Sequence, residues 1–152
     1  MRISVGDGQV RELVNVRGTV LSAPFSPDGR LVAYRVHSTL DDPVSRIFVT
    51  PSEGGEPHAV YEERQAPEAD DGASQSLKLL DRTADGRFLA ISSARMGRSA
   101  LYLLPIRDGK SPDAPILVRY GDFEDGLTLA TGELIYRAKE AGRRVVSLCR
   151  VA

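Results

Sequence analysis

Short apolar runs recur along the chain about every ten residues, and turn-forming residues separate them. The runs are rich in Val, Ile, Leu, Phe and Tyr, whereas the clusters between them contain Gly, Pro, Asp and Ser. This spacing is typical of antiparallel strands joined by turns. No segment holds a sustained helical period with capping residues, so we expect little helix. The predicted strands are Arg2–Val5, Val10–Val14, Thr19–Phe25, Leu31–Val36, Arg46–Thr50, His58–Tyr61, Leu77–Asp81, Phe88–Ser92, Ala100–Pro105, Ile116–Arg119, Gly126–Ala130, Leu134–Arg137 and Arg144–Arg150.

An internal repeat organises these strands. The segment Phe25–Tyr34, FSPDGRLVAY, aligns with Arg82–Ile91, RTADGRFLAI, and both read as a turn with Asp-Gly-Arg followed by an apolar strand. A looser third copy is Ala130–Tyr136, ATGELIY. The three turn glycines are 57 and 46 residues apart. When every element is a strand, repeats of this length favour four-stranded propeller blades over solenoid repeats.

The turns of the repeat have a physical explanation. A glycine accepts positive φ at no steric cost, and an Asp carboxylate can accept hydrogen bonds from the amides of its own turn. This role explains the two carboxylates more simply than acid–base or metal chemistry does. The residues predicted to build the turns are Asp28, Gly29, Asp85, Gly86 and Gly132.

The runs after the first two turns, LVAY and FLAI, are continuously apolar. Such runs are expected of strands whose two faces are both covered. We therefore predict that Leu31–Tyr34 and Phe88–Ile91 are buried inner strands at equivalent blade positions. Each is followed by a strand pair, SRIFVTPSEGGEPHAVYE or RSALYLLPIRDGKSPDAPILVRYG, which would form the outer hairpin of a blade.

With these motifs the sequence resembles the TolB-like and WD-repeat-like propeller repeats, whose blades carry an F-S-P-D-G-R-type turn before an inner strand. Phe25–Arg30 matches that pattern closely, Thr83–Arg87 matches it well, and Thr131–Leu134 matches it loosely. The resemblance extends from about Thr19 to the C-terminus and implies a propeller fold. Propellers of this type serve as interaction platforms, periplasmic scaffolds and gating domains of peptidases.

We predict one all-β domain over residues 1–152, a partial propeller of about three four-stranded antiparallel blades. An N-terminal strand pair occupies 1–18, blade 1 with an acidic loop 19–76, blade 2 77–123, and an incomplete blade 3 124–152. A closed propeller needs at least about four blades, and an open arc exposes the apolar face of its end blade. The chain is therefore expected either to form a homodimer, a six-bladed ring with strands donated across the interface, or to be part of a larger propeller.

Composition narrows the class of partner. The formal net charge is −1 with 27% charged residues, which gives no electrostatic reason to expect nucleic-acid binding. No stretch approaches the ~20 apolar residues of a membrane span, and the N-terminus lacks an apolar signal-peptide core. The chain as it stands reads as cytoplasmic, or as periplasmic or secreted if a leader was removed. The single cysteine, Cys149, is predicted to be a buried, inert thiol.

The sequence shows no recognisable catalytic set, and we predict no metal and no cofactor. His37 and His58 are the only histidines, and they lack partners at metal-ligand spacing apart from the nearby Asp41-Asp42, which reads as a loop. There is no Gly-x-Ser-x-Gly elbow. Gly6-Asp7-Gly8 and Gly54-Gly55 have no following helix and read as tight turns.

Two charged segments have alternative interpretations. Glu62–Ser76, an acidic stretch, is either a binding surface or a solvated linker between blades. A basic C-terminal hairpin, opposed only by Glu140, is either a surface for an acidic partner or charge that protects an edge strand. The residues of this possible interaction surface are Arg137, Lys139, Arg143 and Arg144.

These observations favour a non-enzymatic interaction or scaffold module that binds a protein partner or a second copy of itself. The alternative is a propeller domain or subunit that accompanies a peptidase or another hydrolase, whose catalytic residues lie on another chain or domain. Fold alone does not choose between them.

Overall fold

The regular secondary structure is antiparallel β throughout the part of the chain that the computed structural model describes, residues 2–3, 10–16, 20, 22–37, 43–64, 77–94, 98–140 and 143–150. These ranges contain no helix long and apolar enough to cross a membrane. The strands are β1 (Arg2–Ile3), β2 (Val10–Arg11), β3 (Leu31–Val36), β4 (Val44–Pro51), β5 (His58–Arg64), β6 (Lys78–Arg82), β7 (Phe88–Ser93), β8 (Ala100–Pro105), β9 (Ile116–Tyr120), β10 (Asp122–Thr128), β11 (Glu133–Glu140) and β12 (Arg143–Arg150).

Strands that follow one another in sequence are neighbours in four separate sheets. β1 pairs with β2, and the other sheets have the orders β3-β4-β5, β6-β7-β8-β9 and β10-β11-β12. We call these last three sheets blade 1, blade 2 and blade 3. They are successive up-and-down sheets that do not close into a ring, which confirms the predicted partial propeller.

Blades 1 and 2 repeat the same details of pairing. In both blades the ladder between the last two strands shifts register at one place, between Ile47 and Phe48 in β4 and between Leu101 and Tyr102 in β8. Such bulges bend a strand at a defined position. The repeat seen in the sequence therefore extends to the outer hairpins, where sequence similarity is weak.

Two apolar cores lie between the blades, and successive residues of β7 face opposite ones. Leu89 and Ile91 belong to the core between blades 1 and 2, together with Ile47 and Val49 of β4. Ala90 belongs to the core between blades 2 and 3. Because side chains alternate along a strand, one apolar run serves both interfaces. The second core also contains Leu101, Leu103, Phe123, Leu134, Tyr136 and Ala138.

The predicted strand Thr19–Phe25 is wrong as a continuous strand. In its described part only Val20 and Phe25 form isolated bridges, to Val36 and Val32 of β3. Pro24 explains the interruption, because proline has no N–H to donate to a ladder, although its carbonyl still accepts from Ala33 N at 2.9 Å. The described part of this segment lies beside β3. It takes the position that β6, the first strand of blade 2, has beside β7.

Several strands are longer than the hydrophobic pattern predicts. β10 begins at Asp122 rather than Gly126, and β11 continues to Glu140 rather than ending at Arg137. The charged residues Glu124 and Asp125 are accommodated in the added part of β10 because they pair with Arg137 of the adjacent strand β11. The predicted acidic loop likewise loses its first three residues, since 62–64 belong to β5 and Glu62 pairs with Arg46 at 3.0 Å.

Some predictions concern parts of the chain outside the described residues. These are residues 65–76 of the acidic segment, the Gly6-Asp7-Gly8 turn and Asp41-Asp42. Cys149 lies in β12, but its side chain is not among the described ones.

Candidate interaction surface

The two Asp-Gly turns share one hydrogen-bond arrangement, organised by a hydroxyl that the sequence reasoning overlooked. In blade 1, Ser26 Oγ donates to Asp28 Oδ1 at 2.5 Å and accepts from Leu31 N at 2.9 Å. In blade 2, Thr83 Oγ1 donates to Asp85 Oδ1 at 2.7 Å and accepts from Phe88 N at 3.0 Å. The shared pattern Ser/Thr-x-Asp-Gly-Arg was the available signal, because such hydroxyls commonly bond nearby backbone.

The carboxylates of Asp28 and Asp85 also accept a hydrogen bond from the backbone amide two residues later in the chain. Arg30 N donates to Asp28 Oδ1 at 3.1 Å, and Arg87 N donates to Asp85 Oδ1 at 3.0 Å. Partial burial tends to raise the pKa of Asp85, but the bonds from Thr83 and Arg87 outweigh it and lower that pKa to about 2. The bond from Ser26 is the main cause that lowers the pKa of Asp28. Both carboxylates are therefore bonded within their own turns.

The third turn is one residue shorter. Leu129 N donates to Glu133 O at 2.7 Å, whereas in the first turn Ser26 N donates to Leu31 O at 2.8 Å. Leu129 stands at the position of the hydroxyl, so this bonding pattern is lost. The turn glycine is nevertheless in the same conformation, since φ is 82° at Gly132, 70° at Gly29 and 74° at Gly86.

Glu124, which the sequence reasoning did not single out, lies beside the basic hairpin. Its carboxylate is 2.9 Å from Arg137 Nε, 3.2 Å from Arg144 Nε and 3.8 Å from Lys139 Nζ. Asp125 adds a contact of 2.8 Å to Arg137 Nη2. Three of the four predicted basic residues are thus paired within blade 3, and the fourth, Arg143, is exposed in β12. Only strand register brings Glu124 to them.

One apolar position is repeated in all three blades but is buried in only two. The residue at this position pairs across the ladder with the fifth residue of β3, β7 or β11. The three pairs are Ile47 with Arg35, Leu101 with Ser92, and Val146 with Arg137. Ile47 and Leu101 are 0% exposed in the cores between blades. Val146 is 73% exposed. Blade 3 therefore has, on an exposed face, the kind of aliphatic residue that in blades 1 and 2 lies in a core between blades.

Two further apolar residues share this face. Leu127 of β10 is 59% exposed and pairs with Ile135 of β11, which is half-buried. The opposite face of the same sheet is buried against blade 2. We call the open side, with Leu127, Ile135 and Val146, the outer face of blade 3. An apolar centre beside a rim of paired charges is typical of a surface that binds protein.

A cleft of about 470 Å³ lies at the end of blade 2 that carries its Asp-Gly turn. We call this end of a blade its turn end. Its apolar lining includes Phe88, Pro105 and Ile116, and its charged lining consists of Arg87, Arg107 and Asp113. A smaller cleft of about 300 Å³ adjoins it, between the turns of blades 2 and 3. The larger cleft has the size of a binding site and mostly apolar walls.

The described side chains offer no obvious chemistry. No three His, Cys, Asp or Glu residues come together as a metal site among them. His58 is exposed on β5, and His37 follows β3, where its Nδ1 is buried. Where described hydroxyls lie beside carboxylates, Ser26 and Thr83 stabilise the Asp-Gly turns, and Ser93 Oγ donates to Glu63 between blades 2 and 1.

Comparisons with known proteins identify the fold alone. No protein-family model matches the sequence, and no curated protein matches it. Solved structures do match. A protein of Agrobacterium tumefaciens assigned as TolB has 15% identity and a TM-score of 0.62, over 84% of this chain and 45% of its own.

Two peptidase structures also match. For the β-propeller domain of the Trilobed protease from Pyrococcus furiosus the identity is 14% and the TM-score 0.54, over 87% of this chain and 41% of that one. For prolyl oligopeptidase B from Galerina marginata the values are 14% and 0.52, over 84% and 18%. The fold is TolB-like, and the chain spans less than half the length of each of these proteins.

Proposed function

We propose that this chain is a non-enzymatic protein-interaction module of propeller type that forms a homodimer through the outer face of blade 3. The observation that carries the proposal is the exposure of Val146. The equivalent residues, Ile47 and Leu101, are wholly buried between blades. An exposed face that has the same kind of aliphatic residue as two buried interfaces is suited to packing against another β-sheet.

The lengths of the matching proteins support a second copy as the occupant. The matched region makes up 45% of the TolB chain and 41% of the Trilobed protease propeller. Two copies would therefore supply about as much propeller as either of those proteins contains. Two-fold symmetry would use the same surface twice.

The energetics are compatible with a dimer. Burying one aliphatic side chain that was exposed contributes roughly 1.5–3 kcal/mol. Two-fold symmetry would bury Val146 and Leu127 of both copies. The charged residues around Glu124 are already paired within their own sheet, so they can remain at a solvated rim without the cost of burying unpaired charge.

Light scattering across a concentration series tests the proposal. A mass of two chains is expected, against 16.5 kDa for one. Val146→Asp should shift the chain to monomer, because a carboxylate would have to be buried at the interface. Leu117→Asp is the matched control, since Leu117 is also exposed but lies in blade 2, on the side away from blade 3. A wild-type monomer at all concentrations would overturn the dimer.

A second candidate function rests on the peptidase structures. Similarity to the Trilobed protease propeller favours a module that accompanies a hydrolase on another chain or domain. In that case the wild-type chain would be a monomer, and its outer face would bind the remaining blades of a longer propeller. The mass measurement separates the two candidates.

A further inference from the structure

A buried arginine lies between the turns of blades 1 and 2. Arg82, the last residue of β6, is 8% exposed. Its Nη2 and Nε donate to the backbone carbonyl of Gly86 at 3.0 Å and 3.2 Å. Burial lowers the pKa of Arg82, and the Asp28 carboxylate of the preceding turn opposes that effect. The guanidinium is thus held by the carbonyl of one turn and the negative charge of the turn before it.

The equivalent space between the turns of blades 2 and 3 is the smaller cleft, of about 300 Å³. β10 ends at Thr128, at the position where Arg82 ends β6, because each of these residues pairs with the second residue of the following strand. A threonine side chain is too short to reach the turn carbonyl as arginine does. The Oγ1 of Thr128 is buried and has no hydrogen-bond partner among the described residues.

The groups around the Arg82 guanidinium have counterparts around the cleft. Gly132 lines the cleft at the position that Gly86 has in blade 2, with a positive φ of 82° against 74°. Its carbonyl is therefore the counterpart of the carbonyl that accepts from the buried guanidinium. Asp85 also lines the cleft and is the counterpart of Asp28. The cleft thus offers the same two kinds of acceptor, a turn carbonyl and the carboxylate of the preceding turn.

The charges that line the cleft leave room for a cation. They are those of Asp85 and Arg87, whose Nε lies 2.5 Å from Asp85 Oδ2. The Oδ1 of Asp85 accepts from Thr83 Oγ1 and Arg87 N. A carboxylate offers about four acceptor positions, so these three bonds leave one. In blade 1 an arginine of the turn also lies near the carboxylate, with Arg30 Nε 4.0 Å from Asp28 Oδ2, and the buried guanidinium is still accommodated.

We propose that this cleft binds the guanidinium of an arginine side chain from a partner protein, in the way that Arg82 is bound one blade earlier. Ala84 and Ala130 line the cleft and would contact the methylene groups. A further carboxylate lies beside it, since Thr131 Oγ1 donates to Glu133 Oε2 at 2.8 Å. Arginine is favoured over lysine because a planar guanidinium can donate to a carbonyl and a carboxylate in different directions at once.

The site is separate from the proposed dimer contact. The lining of the cleft belongs to the turns of blades 2 and 3 and to Phe88 at the start of β7, whereas the outer face of blade 3 is formed by Leu127, Ile135 and Val146. The cleft opens beside Ala130, which is exposed, so the backbone of a bound polypeptide can remain outside it. Arginine binding is therefore expected of the monomer and of the dimer alike.

An NMR titration with an acetylated, amidated Gly-Arg-Gly peptide at millimolar concentrations tests the proposal. The amide signals of Ala130, Thr131 and Gly132 should shift and saturate. The lysine counterpart of the peptide should bind at least about fivefold more weakly. Failure of the arginine peptide to saturate these signals, or equal binding of the lysine peptide, would overturn the site. Free arginine is the third probe, and tighter binding of free arginine would overturn the assignment to a protein side chain.

A substitution that supplies the guanidinium from within the chain gives a sharper readout. Thr128→Arg should fill the cleft as Arg82 fills the space before it, and should raise the dissociation constant of the arginine peptide at least about tenfold. Leu117→Arg is the matched control, because it adds the same charge at an exposed position outside the cleft and should change the constant less than twofold. Circular dichroism follows the fold, and unchanged affinity in a folded Thr128→Arg variant would contradict the proposal.

Opposite charges at one exposed position provide a second readout that does not alter a buried residue. Ala130→Glu should lower the dissociation constant of the arginine peptide and Ala130→Lys should raise it, each at least about twofold. Equal affinities of these two variants would overturn the site. A wild type that is monomeric yet binds the arginine peptide would remove the proposed dimer and leave this site standing.

Discussion

Gly86 lies against Pro27, where the turn of blade 2 meets the turn of blade 1. A Cβ built on Gly86 would be 3.0 Å from Pro27 Cδ, whereas one built on Gly29, the equivalent residue of blade 1, would meet nothing within 4 Å. Both glycines have nearly the same positive φ, 74° and 70°. The pair therefore separates the cost of backbone conformation from the cost of a steric contact.

Alanine at these two glycines should have unequal effects. Gly29→Ala is expected to lower the free energy of unfolding by about 1 kcal/mol, the cost of a side chain at positive φ. Gly86→Ala should lower it further, because the new methyl group also displaces Pro27. Urea unfolding of both variants gives the comparison. Adding Pro27→Ala to each should narrow the difference, and equal losses without it would contradict the contact.

Acid should remove the advantage that Asp85 gives the folded state. The folded-state pKa is about 2, below the ordinary 3.8, so the ionised carboxylate stabilises the fold at neutral pH. That contribution declines as the pH falls below 3.8 and is lost through about 2. Asp85→Asn should therefore be less stable than wild type at pH 7, with the difference vanishing near pH 2 in urea titrations. Thr83→Val should raise the pKa of Asp85 in an NMR titration; an unchanged pKa would argue against the hydroxyl.

Asp81 joins blade 2 to blade 3. Its Oδ2 accepts from the backbone N of Thr128 at 2.6 Å, across β6 and β10. Asp81→Ala leaves that amide without its partner and should destabilise the chain by about 1–3 kcal/mol. Asp81→Asn keeps an acceptor and should lose less. Thermal unfolding measures both, and equal stability of the alanine and asparagine variants would show that the bond contributes little.

Glu124 should stabilise blade 3 in a salt-dependent way. One carboxylate faces three cations, and although its desolvation opposes the effect, the bond from Arg144 and the neighbouring positive charges lower its pKa. Glu124→Gln should therefore reduce the urea midpoint at an ionic strength of about 0.01 M and change it much less at about 1 M, where charges are screened within ~3 Å. Glu56→Gln, at an exposed position between β4 and β5 of blade 1, is the control. A loss that does not depend on salt would contradict the electrostatic explanation.

Local chemistry made the central part of the fold predictable. An Asp-Gly turn is specified by a few consecutive residues, because its hydrogen bonds and its positive φ are satisfied inside the turn itself. The continuous apolar runs after Gly29 and Gly86 likewise indicate strands covered on both faces, since each residue of such a run needs a core on its own side. Both properties are written in short stretches of sequence.

Only the tertiary structure decided which apolar faces are covered and which charged side chains are paired. Val146 reads in sequence like Ile47 or Leu101, and it is exposed because burial depends on whether a further sheet is present, which no local pattern encodes. Glu124 reads as one acid before a basic hairpin, and strand register alone brings it to Arg137 and Arg144. Local residues thus determine turns and strands, whereas contacts between residues distant in sequence determine which faces and charges remain available for a partner.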